Sequence, residues 1–491
     1  MDEQVIAYLK SKSLSVITNE DIATKMEVWK QWYKGCVDKF HKYKVYSGKK
    51  KLDMERKTLN LPAKVCQRWS DVLLNEKVEI NVADEYTQGK LNHLLKQVNF
   101  RVRGNNLLET AFALGGGFLI QYWDGEKTNQ KYVTQEFMYP ITYDSGRLTE
   151  AAFASTKTID GKTYVYLETH LKDPRTGLYV VDNALLKTND AKMGNASGVG
   201  GLVEVDAQFY EEHGIIPKWE TQSITPLFQR IAPNVANRDD FNSPWGTSVF
   251  SGAIDIFASC DAIYDSFYKE FLLGKKRIFV TDGVANVNYV QNGDTIDTVE
   301  VFDPNDEVFY RIPGDTDDGV PPIQPVDMNL RVGDHATAIQ TQLNLLSQCV
   351  GFGSDGFKWD VGGVTTATQV ISQNSEMFRT IKKHEAVLED AIIDMARGLL
   401  YVEAVFGGDN AIKLDAEITV DFDDSIIEDT AEIKRQALLE LNVGLISKAE
   451  YYRQVYKLSE QQALEYEVKM LTEIVAEMNA IPVQEEPDPE V

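Results

Sequence analysis

Acidic side chains crowd a short stretch near the C-terminal end of the chain, with the carboxylate type and spacing that divalent cations use as ligands. The stretch contains Asp421, Asp423, Asp424, Glu428 and Asp429. Two divalent ions held by such a group would support hydrolysis of a phosphodiester bond. Nuclease sites usually add a histidine or lysine and acids from other elements, and acids at a strand exit also favour the N-terminus of a following helix. A metal-dependent phosphodiesterase is therefore the alternative hypothesis.

A glycine pattern near the middle of the chain has the GxGxxG spacing of a dinucleotide-binding loop. It consists of Gly351, Gly353 and Gly356. In dinucleotide-binding folds this motif follows a strand within a βαβ unit. Here the preceding apolar periodicity is helical, which argues against nucleotide binding. Five glycines among the thirteen residues 351–363 instead predict a mobile loop between two helices.

Motifs for nucleophilic or metal-dependent catalysis are absent from the sequence. The six histidines are isolated from one another, and no GxSxG, HExxH or P-loop pattern occurs. The four cysteines form no CxxC pair and have no histidine at zinc-ligand spacing, so neither a zinc module nor a disulfide framework is indicated. These patterns predict no catalytic residues, no cofactor and no metal, although distant residues can still converge in a fold.

The composition is that of a folded protein with an unusual charge. Hydrophobic residues make up 43% of the 491 residues, and 75 acidic against 50 basic residues give a formal net charge of −25. Proteins that coat DNA have a basic footprint, so simple nucleic-acid coating is disfavoured. The N-terminus is acidic, and no run approaches the roughly 18 apolar residues of a membrane span. We expect a soluble, cytoplasmic chain without membrane contact.

Apolar periodicity predicts an α+β protein. Residues 1 to about 80 are predicted to be helical, most clearly over 61–73, where Pro62 suits the first turn of a helix. The alternation of Val78, Ile80 and Val82 predicts a strand. Residues 118 to about 220 are rich in short apolar runs separated by turn signals, which predicts antiparallel meanders.

Three longer helices are predicted in the second half of the chain. Their predicted limits are 248–273, about 327–349 and about 366–405, and the third begins with the capping pattern Thr366-Ala367-Thr368-Gln369. Between the first two, short strands are expected, including one over 299–302. A strand over 412–422 and helices from about 430 and 447 follow. The acidic, proline-bearing residues 481–491 predict a disordered tail.

This order of parts resembles the portal proteins of tailed double-stranded-DNA bacteriophages with long non-contractile tails. The local sequence is similar to that family along most of the chain. The segments that carry the resemblance are Leu61-Pro62-Ala63-Lys64, Ser243-Pro244-Trp245-Gly246, Ala262-Ile263-Tyr264-Asp265-Ser266-Phe267, Gly274-Lys275-Lys276-Arg277, Thr366-Ala367-Thr368-Gln369-Val370-Ile371-Ser372 and Asp421-Phe422-Asp423-Asp424-Ser425.

The resemblance implies a portal fold with an α/β wing, a two-helix stem, a small β-containing clip and a helical crown, assembled as a dodecameric ring. The implied parts are the wing (1–245 and 366–445), stem helices (246–274 and 327–350), clip (275–326), tunnel loop (351–365), crown (446–480) and disordered acidic tail (481–491).

The resemblance also implies a function without enzymatic activity, cofactor or metal. The ring would be the DNA conduit at one capsid vertex, through which terminase packages the viral genome and DNA later exits to the tail. The implied partners are double-stranded DNA, the large terminase subunit, a head-completion adaptor, and the major capsid and scaffolding proteins. The protein would belong to the virion and assemble in the bacterial host cytoplasm. Twelve copies would carry about −300 charges, and this repulsion would let a duplex slide.

Three groups of residues are candidate sites under this resemblance. Residues expected to touch DNA in the tunnel loop are Gly353, Asp355, Gly356, Phe357, Lys358, Trp359 and Asp360. Phe357 and Trp359 have a competing interpretation, in which they pack between neighbouring subunits.

The other two groups lie in the clip and at its start. Lys275, Lys276 and Arg277 form a basic collar or, alternatively, complement the dipole of the helix before them. The acids expected to include a terminase docking surface are Asp303, Asp306, Glu307, Asp315, Asp317 and Asp318. For any one of these acids the alternative is an ordinary solvated loop.

Overall fold

The computed structural model describes most of the chain in separate ranges. They are residues 2–47, 50–75, 77–188, 202–274, 277–281, 289–292, 295–298, 309–312, 323–326, 329–353, 356–359, 367–422, 430–456, 462–464 and 466–470. The chain divides into two compact units, Met1–Phe422 and Asp423–Val491. None of the helices in the described ranges is long and apolar enough to span a lipid bilayer.

The N-terminal region contains four helices and a β-hairpin. The elements are α1 (Asp2–Ser11), α2 (Glu20–Tyr33), α3 (Asp38–His41), β1 (Lys42–Ser47), β2 (Lys50–Glu55) and α4 (Leu61–Leu73). The prediction of a wholly helical region to residue 80 is wrong here, because residues 42–55 pair as an antiparallel ladder. The predicted helix over 61–73 is confirmed, and it buries Val65, Trp69 and Leu73.

The predicted strand after α4 is present as β3 (Glu79–Val82), with Ile80 and Val82 buried. Helices α5 (Glu85–Gln97) and α6 (Phe100–Leu114) follow. Strands β4 (Gly117–Trp123) and β5 (Thr128–Thr134) then form a hairpin, in which Phe118, Leu119 and Ile120 are fully buried.

The strand-rich region forms the antiparallel meander that the turn signals predict. Its elements are β6 (Met138–Asp144), β7 (Arg147–Ile159), β8 (Lys162–Lys172), β9 (Tyr179–Thr188), β10 (Leu202–Glu204), α7 (Ala207–Glu212) and β11 (Lys218–Glu220). The strands are ordered β10-β9-β8-β7-β6, and β11 also pairs with β9. One core of this sheet is closed by α1, whose Val5 and Leu9 pack with Leu167 and Leu186. Strand β12 (Phe228–Ile231) pairs with β4 in the smaller sheet.

Two antiparallel helices follow, separated by short strands. The elements are α8 (Ile254–Leu273), β13 (Arg277–Thr281), β14 (Tyr289–Asn292), β15 (Thr295–Thr298), β16 (Phe309–Ile312), β17 (Ile323–Val326) and α9 (Val332–Cys349). Helix α8 begins six residues later than predicted, because residues 248–253 form turns in which Ser251 N and Ala253 N donate to Ser248 O and Phe250 O. Helix α9 begins at Val332 rather than at 327. The predicted strand over 299–302 lies outside the described residues.

Helix α10 (Ala367–Phe406) confirms the third long helix and packs on β4 and β12. Strand β18 (Ile418–Asp421) pairs with β3, placing Val420 opposite Ile80. The predicted strand over 412–422 is therefore too long, since Asn410, Ile412 and Ala416 donate in turns.

The second unit contains α11 (Thr430–Val443) and α12 (Lys448–Tyr456), which pack against each other. The predicted helix start at Ser447 is confirmed, because its Oγ accepts a hydrogen bond from Glu450 N at 3.1 Å. The capping residue Thr366 and the tail over 481–491 lie outside the described residues.

Candidate functional site

Helices α8 and α9 form an antiparallel pair, since the end of one meets the start of the other. Arg331, directly before α9, donates from Nε and Nη2 to the two carboxylate oxygens of Glu270 at 3.1 and 2.8 Å. These hydrogen bonds hold the pKa of Glu270 at about 2. At the opposite end, a Cβ on Gly252 would lie 3.8 Å from Sγ of Cys349. The two helices are thus tied by hydrogen bonds at one end and lie close together at the other.

Helix α8 is held to the segment before α4 by two aspartates one turn apart, Asp261 and Asp265. The buried Asp261 carboxylate accepts from Thr58 Oγ1 at 2.9 Å and from Leu59 N at 2.8 Å. Asp265 accepts from Lys57 N at 3.2 Å and from Lys269 Nζ at 2.6 Å. Because carboxylates bind donors strongly when water is excluded, these bonds fix the position of α8 on the body of the first unit.

The buried His41 completes the partners of Asp261. Its Nε2 lies 3.1 Å from Asp261 Oδ2, while its Nδ1 accepts from Val37 N at 2.8 Å. Since Nδ1 is an acceptor, Nε2 carries the proton and donates to the carboxylate. The contact therefore joins residues 220 positions apart in the chain.

The turn after α9 requires two of the predicted loop glycines. Gly351 and Gly353 have φ angles of +85° and +71°, which side chains with a Cβ rarely adopt. Between them, the buried Phe352 stacks on Trp69 with ring centroids 4.3 Å apart. Trp69 Nε1 also donates to Val350 O at 3.2 Å. A Cβ at Gly351 would lie 2.6 Å from Cγ2 of Thr380 on α10, so these glycines serve close packing.

Residues 356–359 lie along α9 and are held there by hydrogen bonds. Phe357 N donates to Ser347 Oγ at 2.9 Å. The side-chain amide of Gln340 makes two hydrogen bonds to the segment. Its Nε2 donates to Phe357 O at 3.3 Å, and its Oε1 accepts from Trp359 N at 2.7 Å. These contacts correct the expectation of a mobile loop for this part of the segment.

Arg68 on α4 supports the same segment from the other side. Its Nη1 donates to Gly356 O, and its guanidinium lies 4.8 Å from the ring centroid of Phe352 and 5.3 Å from that of Phe357. Burial lowers the pKa of this guanidinium. Phe357 is half-buried, and its ring meets that of Phe352 edge-on at 5.6 Å. These contacts of Phe357 are made within its own chain.

Lys358 and Trp359 are the exposed side chains of this segment. Trp359 retains 39% of its surface and lies edge-on to Tyr264 and Phe267 of α8, at centroid distances of 6.4 and 6.3 Å. Both side chains border a shallow groove of about 440 Å³ over α9. The structure thus brings Gly353, Gly356, Phe357, Lys358 and Trp359 together beside the helix pair. Asp355 and Asp360 lie outside the described residues.

The predicted collar is described only in part. Arg277 begins strand β13, and its guanidinium lies 5.4 Å from the ring centroid of Tyr310 in β16. Arg277 therefore belongs to the short sheet in which β13 pairs with β16 and β17. Lys275 and Lys276 lie outside the described residues. The same holds for all six clip acids, namely Asp303, Asp306, Glu307, Asp315, Asp317 and Asp318.

The acidic stretch is also described only at its start. Asp421 ends β18 and accepts from Asn81 Nδ2 at 2.8 Å. The other acids, Asp423, Asp424, Glu428 and Asp429, lie outside the described residues. In the described part of the chain, no group of three histidine, cysteine, aspartate or glutamate side chains could hold a metal ion. The phosphodiesterase hypothesis gains no support from these residues.

The supporting residues Arg68, Gln340, Ser347, Asp261 and Asp265 were not predicted. Gln340 and Ser347 are seven positions apart and so lie on one face of α9, two turns from each other. Asp261 and Asp265 interrupt an otherwise apolar helix face next to Cys260 and Phe257. A charged residue on an otherwise apolar helix face was therefore the sequence feature that could have indicated Asp261 and Asp265 as supporting residues.

An α/β body that carries an antiparallel helix pair, with short strands inserted between the two helices, is the architecture expected of a phage portal subunit. The chain belongs to the family described as phage portal protein, SPP1 Gp6-like, whose family model matches residues 17–478. It is thus a portal protein, a virion component that takes part in a multi-subunit ring. A search of curated proteins returns no match.

Two solved structures are similar in fold at low similarity scores. A chain of the virion of a native gene transfer agent particle is 12% identical, with a TM-score of 0.39, and the alignment covers 81% of this chain and 90% of that one. A chain from the neck of an empty particle of the same type, computed with C6 symmetry, is also 12% identical. Its TM-score is 0.38, with 81% and 89% coverage.

Proposed function

We propose that this portal protein forms the ring-shaped DNA conduit at one capsid vertex, through which terminase packages the genome and DNA later exits to the tail. The observation that carries the proposal is the position of Lys358 and Trp359. In a chain of the portal family, both are exposed on a segment that α4 and α9 hold in place.

The chemistry of this segment suits brief contact with a passing duplex. Lys358 is the one cation among residues 351–363, and Asp355 and Asp360 add negative charge on either side. A phosphate contact from one lysine releases few counterions, so each subunit would hold DNA only weakly. The exposed face of Trp359 limits the channel sterically without adding charge. A conduit needs this combination because tight contacts would oppose sliding.

The wider assembly follows from the same proposal. Twelve copies form the ring, and the short strands between α8 and α9 form the clip, where the acidic residues face the large terminase subunit. Lys275, Lys276 and Arg277 form a collar at the start of the clip. A head-completion adaptor and the capsid and scaffolding proteins complete the vertex, which assembles in the host cytoplasm. The protein itself performs no catalysis, so terminase supplies the energy for translocation.

The test combines electron microscopy of the purified protein with a DNA-packaging assay. The variant Lys358→Ala/Trp359→Ala should form rings with a central hole but package or retain several-fold less DNA than the wild type. The matched control is Lys162→Ala/Phe241→Ala, which removes an exposed lysine and an exposed aromatic ring elsewhere. It should package normally.

Each other outcome contradicts a part of the proposal. Normal packaging by the Lys358 and Trp359 variant would show that these two side chains do not make the proposed contact with DNA. Loss of its rings would show that these side chains join subunits instead. A compact wild-type monomer that never forms rings would overturn the conduit itself.

A further inference from the structure

Strands β1 and β2 form a two-stranded sheet, here named the basic hairpin, to which no third strand is added among the described residues. Its base is well supported. Arg56 N donates to His41 O at 2.8 Å, and Arg56 Nη1 donates to Phe40 O at 2.9 Å. Lys269 of α8 donates to the hydroxyl of Tyr43. The basic hairpin is therefore attached firmly to the fold beside the end of α8.

The outer half of the basic hairpin has an uncovered apolar face. Val45 and Leu52 are directly opposite each other in the ladder and therefore share one face. They retain 41% and 45% of their surface. Isolated two-stranded hairpins are marginally stable in water unless a further strand or helix covers their apolar face. This cross-strand pair is consequently a surface that a partner would stabilise.

The basic hairpin is also a positive island in an acidic protein. Residues 42–55 contain five lysines against two acids, a net charge of +3, so the rest of the chain carries −28. Another copy of the chain thus presents charge of the opposite sign to the hairpin. Complementary charge promotes encounter and orients partners.

Apolar side chains are also exposed on α8, near the chain that follows the hairpin. Lys57 Nζ, just after β2, lies 5.5 Å from the ring centroid of Tyr268. Tyr268 and Leu272, four residues apart on one helix face, retain 47% and 49% of their surface. The hairpin and the last turns of α8 together offer an apolar patch bordered by lysines.

We propose that this patch docks on a second copy of the same chain, the neighbour in the ring of the proposed function. A ring built from identical chains needs head-to-tail interfaces in which two different surfaces meet, and a positive patch facing an acidic one satisfies that need. The contact buries Val45 and Leu52 and pairs hairpin lysines with carboxylates of the neighbour.

DNA is the weaker candidate for the occupant. A phosphate backbone would leave the pair Val45 and Leu52 without an apolar partner.

The first test is the variant Val45→Ser/Leu52→Ser in the full chain, studied by sedimentation velocity over a range of protein concentrations. Both side chains are partly exposed in the single chain, so its circular dichroism should not change and its thermal unfolding should change only slightly. The concentration needed for ring formation should rise at least tenfold. The control Val203→Ser/Ile216→Ser removes two apolar side chains of matched exposure elsewhere, at 42% and 41%. It should assemble like the wild type.

The second test places p-benzoylphenylalanine at Tyr268, an aromatic residue of the patch that is 47% exposed. Light and ¹⁵N-labelled copies are mixed before assembly and irradiated with and without a DNA duplex. Light-to-heavy cross-linked peptides from two copies are expected in both conditions.

Cross-links to DNA alone, or equal ring formation by both double variants and the wild type, would overturn the inference and leave the proposed conduit intact. Equal loss of rings by both variants would overturn it too. A wild type without rings would instead contradict the proposed function.

Discussion

At the scale of single residues, the carboxylate of Asp261 is the clearest case in which one side chain positions a whole helix. It is 3% exposed and accepts hydrogen bonds from His41, Thr58 and Leu59. A buried charge is tolerated in a protein when donors satisfy it, and here they come from α3 and from the segment before α4. Removing the carboxylate leaves the buried His41 and the half-buried Thr58 and Leu59 without this acceptor.

We therefore expect Asp261→Ala to lower the free energy of unfolding by about 3 kcal/mol, because breaking a buried charged network has this order of cost. Asp255→Ala, which removes an exposed acid from the first turn of the same helix, should change it by less than about 1 kcal/mol. Urea denaturation of the two variants and the wild type measures the difference. Equal effects of the two substitutions would show that Asp261 does not hold α8.

His384 on α10 makes the stability depend on pH. Burial, reinforced by the charge of Lys383, lowers the pKa of His384 to about 4, and its Nδ1 accepts from Asn234 N at 3.0 Å. In the unfolded chain its pKa is about 6.5. Between these two pKa values the unfolded chain binds a proton that the folded chain does not bind. The free energy of unfolding therefore falls as the pH falls through this window.

The expected loss from this one group is at most about 3 kcal/mol between pH 6.5 and 4. His384→Phe loses the hydrogen bond to Asn234 and is less stable at pH 7, but its unfolding free energy should fall less steeply across the window. Denaturation at several pH values compares these slopes, with the exposed His93→Gln as control. An unchanged slope in His384→Phe would refute the assignment.

At the scale of elements, the chain before α8 crosses the end of α6 at two glycines that touch. Gly115 follows α6 with a φ of +93°, and a Cβ there would lie 2.6 Å from Gly246 O. A Cβ on Gly246 would overlap the carbonyl oxygen of Gly115. Gln135 stabilises the crossing, because its Oε1 accepts from Gly246 N at 2.8 Å. The route of the chain into α8 thus requires the absence of a side chain.

Gly246→Ala should consequently destabilise the first unit by about 3 kcal/mol, through overpacking against backbone that cannot move aside. Gly89→Ala is the matched change, because Gly89 lies on the exposed side of α5 with open space around it. It should stabilise by about 0.5 to 1 kcal/mol through helix propensity. Thermal unfolding distinguishes the two, and a neutral Gly246→Ala would contradict the close approach.

At the scale of the whole molecule, the net charge of −25 governs how strongly the protein binds DNA. Proteins that neutralise six to ten phosphates lose roughly a thousandfold to a hundred-thousandfold in affinity between about 50 and 200 mM salt. A conduit with one lysine per subunit at its DNA contact has no such basic footprint.

We therefore expect only weak binding of a duplex by the purified protein, with a logarithmic salt slope no steeper than about −2. Fluorescence anisotropy of a labelled duplex titrated at several salt concentrations measures this slope. A steep slope with tight binding would contradict a conduit that lets DNA slide.

Local periodicity along the chain was sufficient to predict much of the architecture. Apolar spacing and turn residues predicted helix α4, the C-terminal ends of α8 and α9, the length of α10 and the antiparallel meander. These signals suffice because they act over a few neighbouring positions. The order of these elements also carried the resemblance to portal proteins, which the family match confirms. The hairpin at 42–55 was missed because a strand's stability depends on its pairing partner more than on its own residues.

The supports of the candidate segment depend on contacts between residues far apart in the chain. The composition of residues 351–363 predicted mobility, yet Arg68 reaches Gly356 across 288 positions and Gln340 holds Trp359. Likewise, nothing near Asp261 in the sequence indicates that His41 lies beside it. Such pairs form only when helices pack, because packing brings distant groups together and excludes the water that would otherwise compete for their hydrogen bonds.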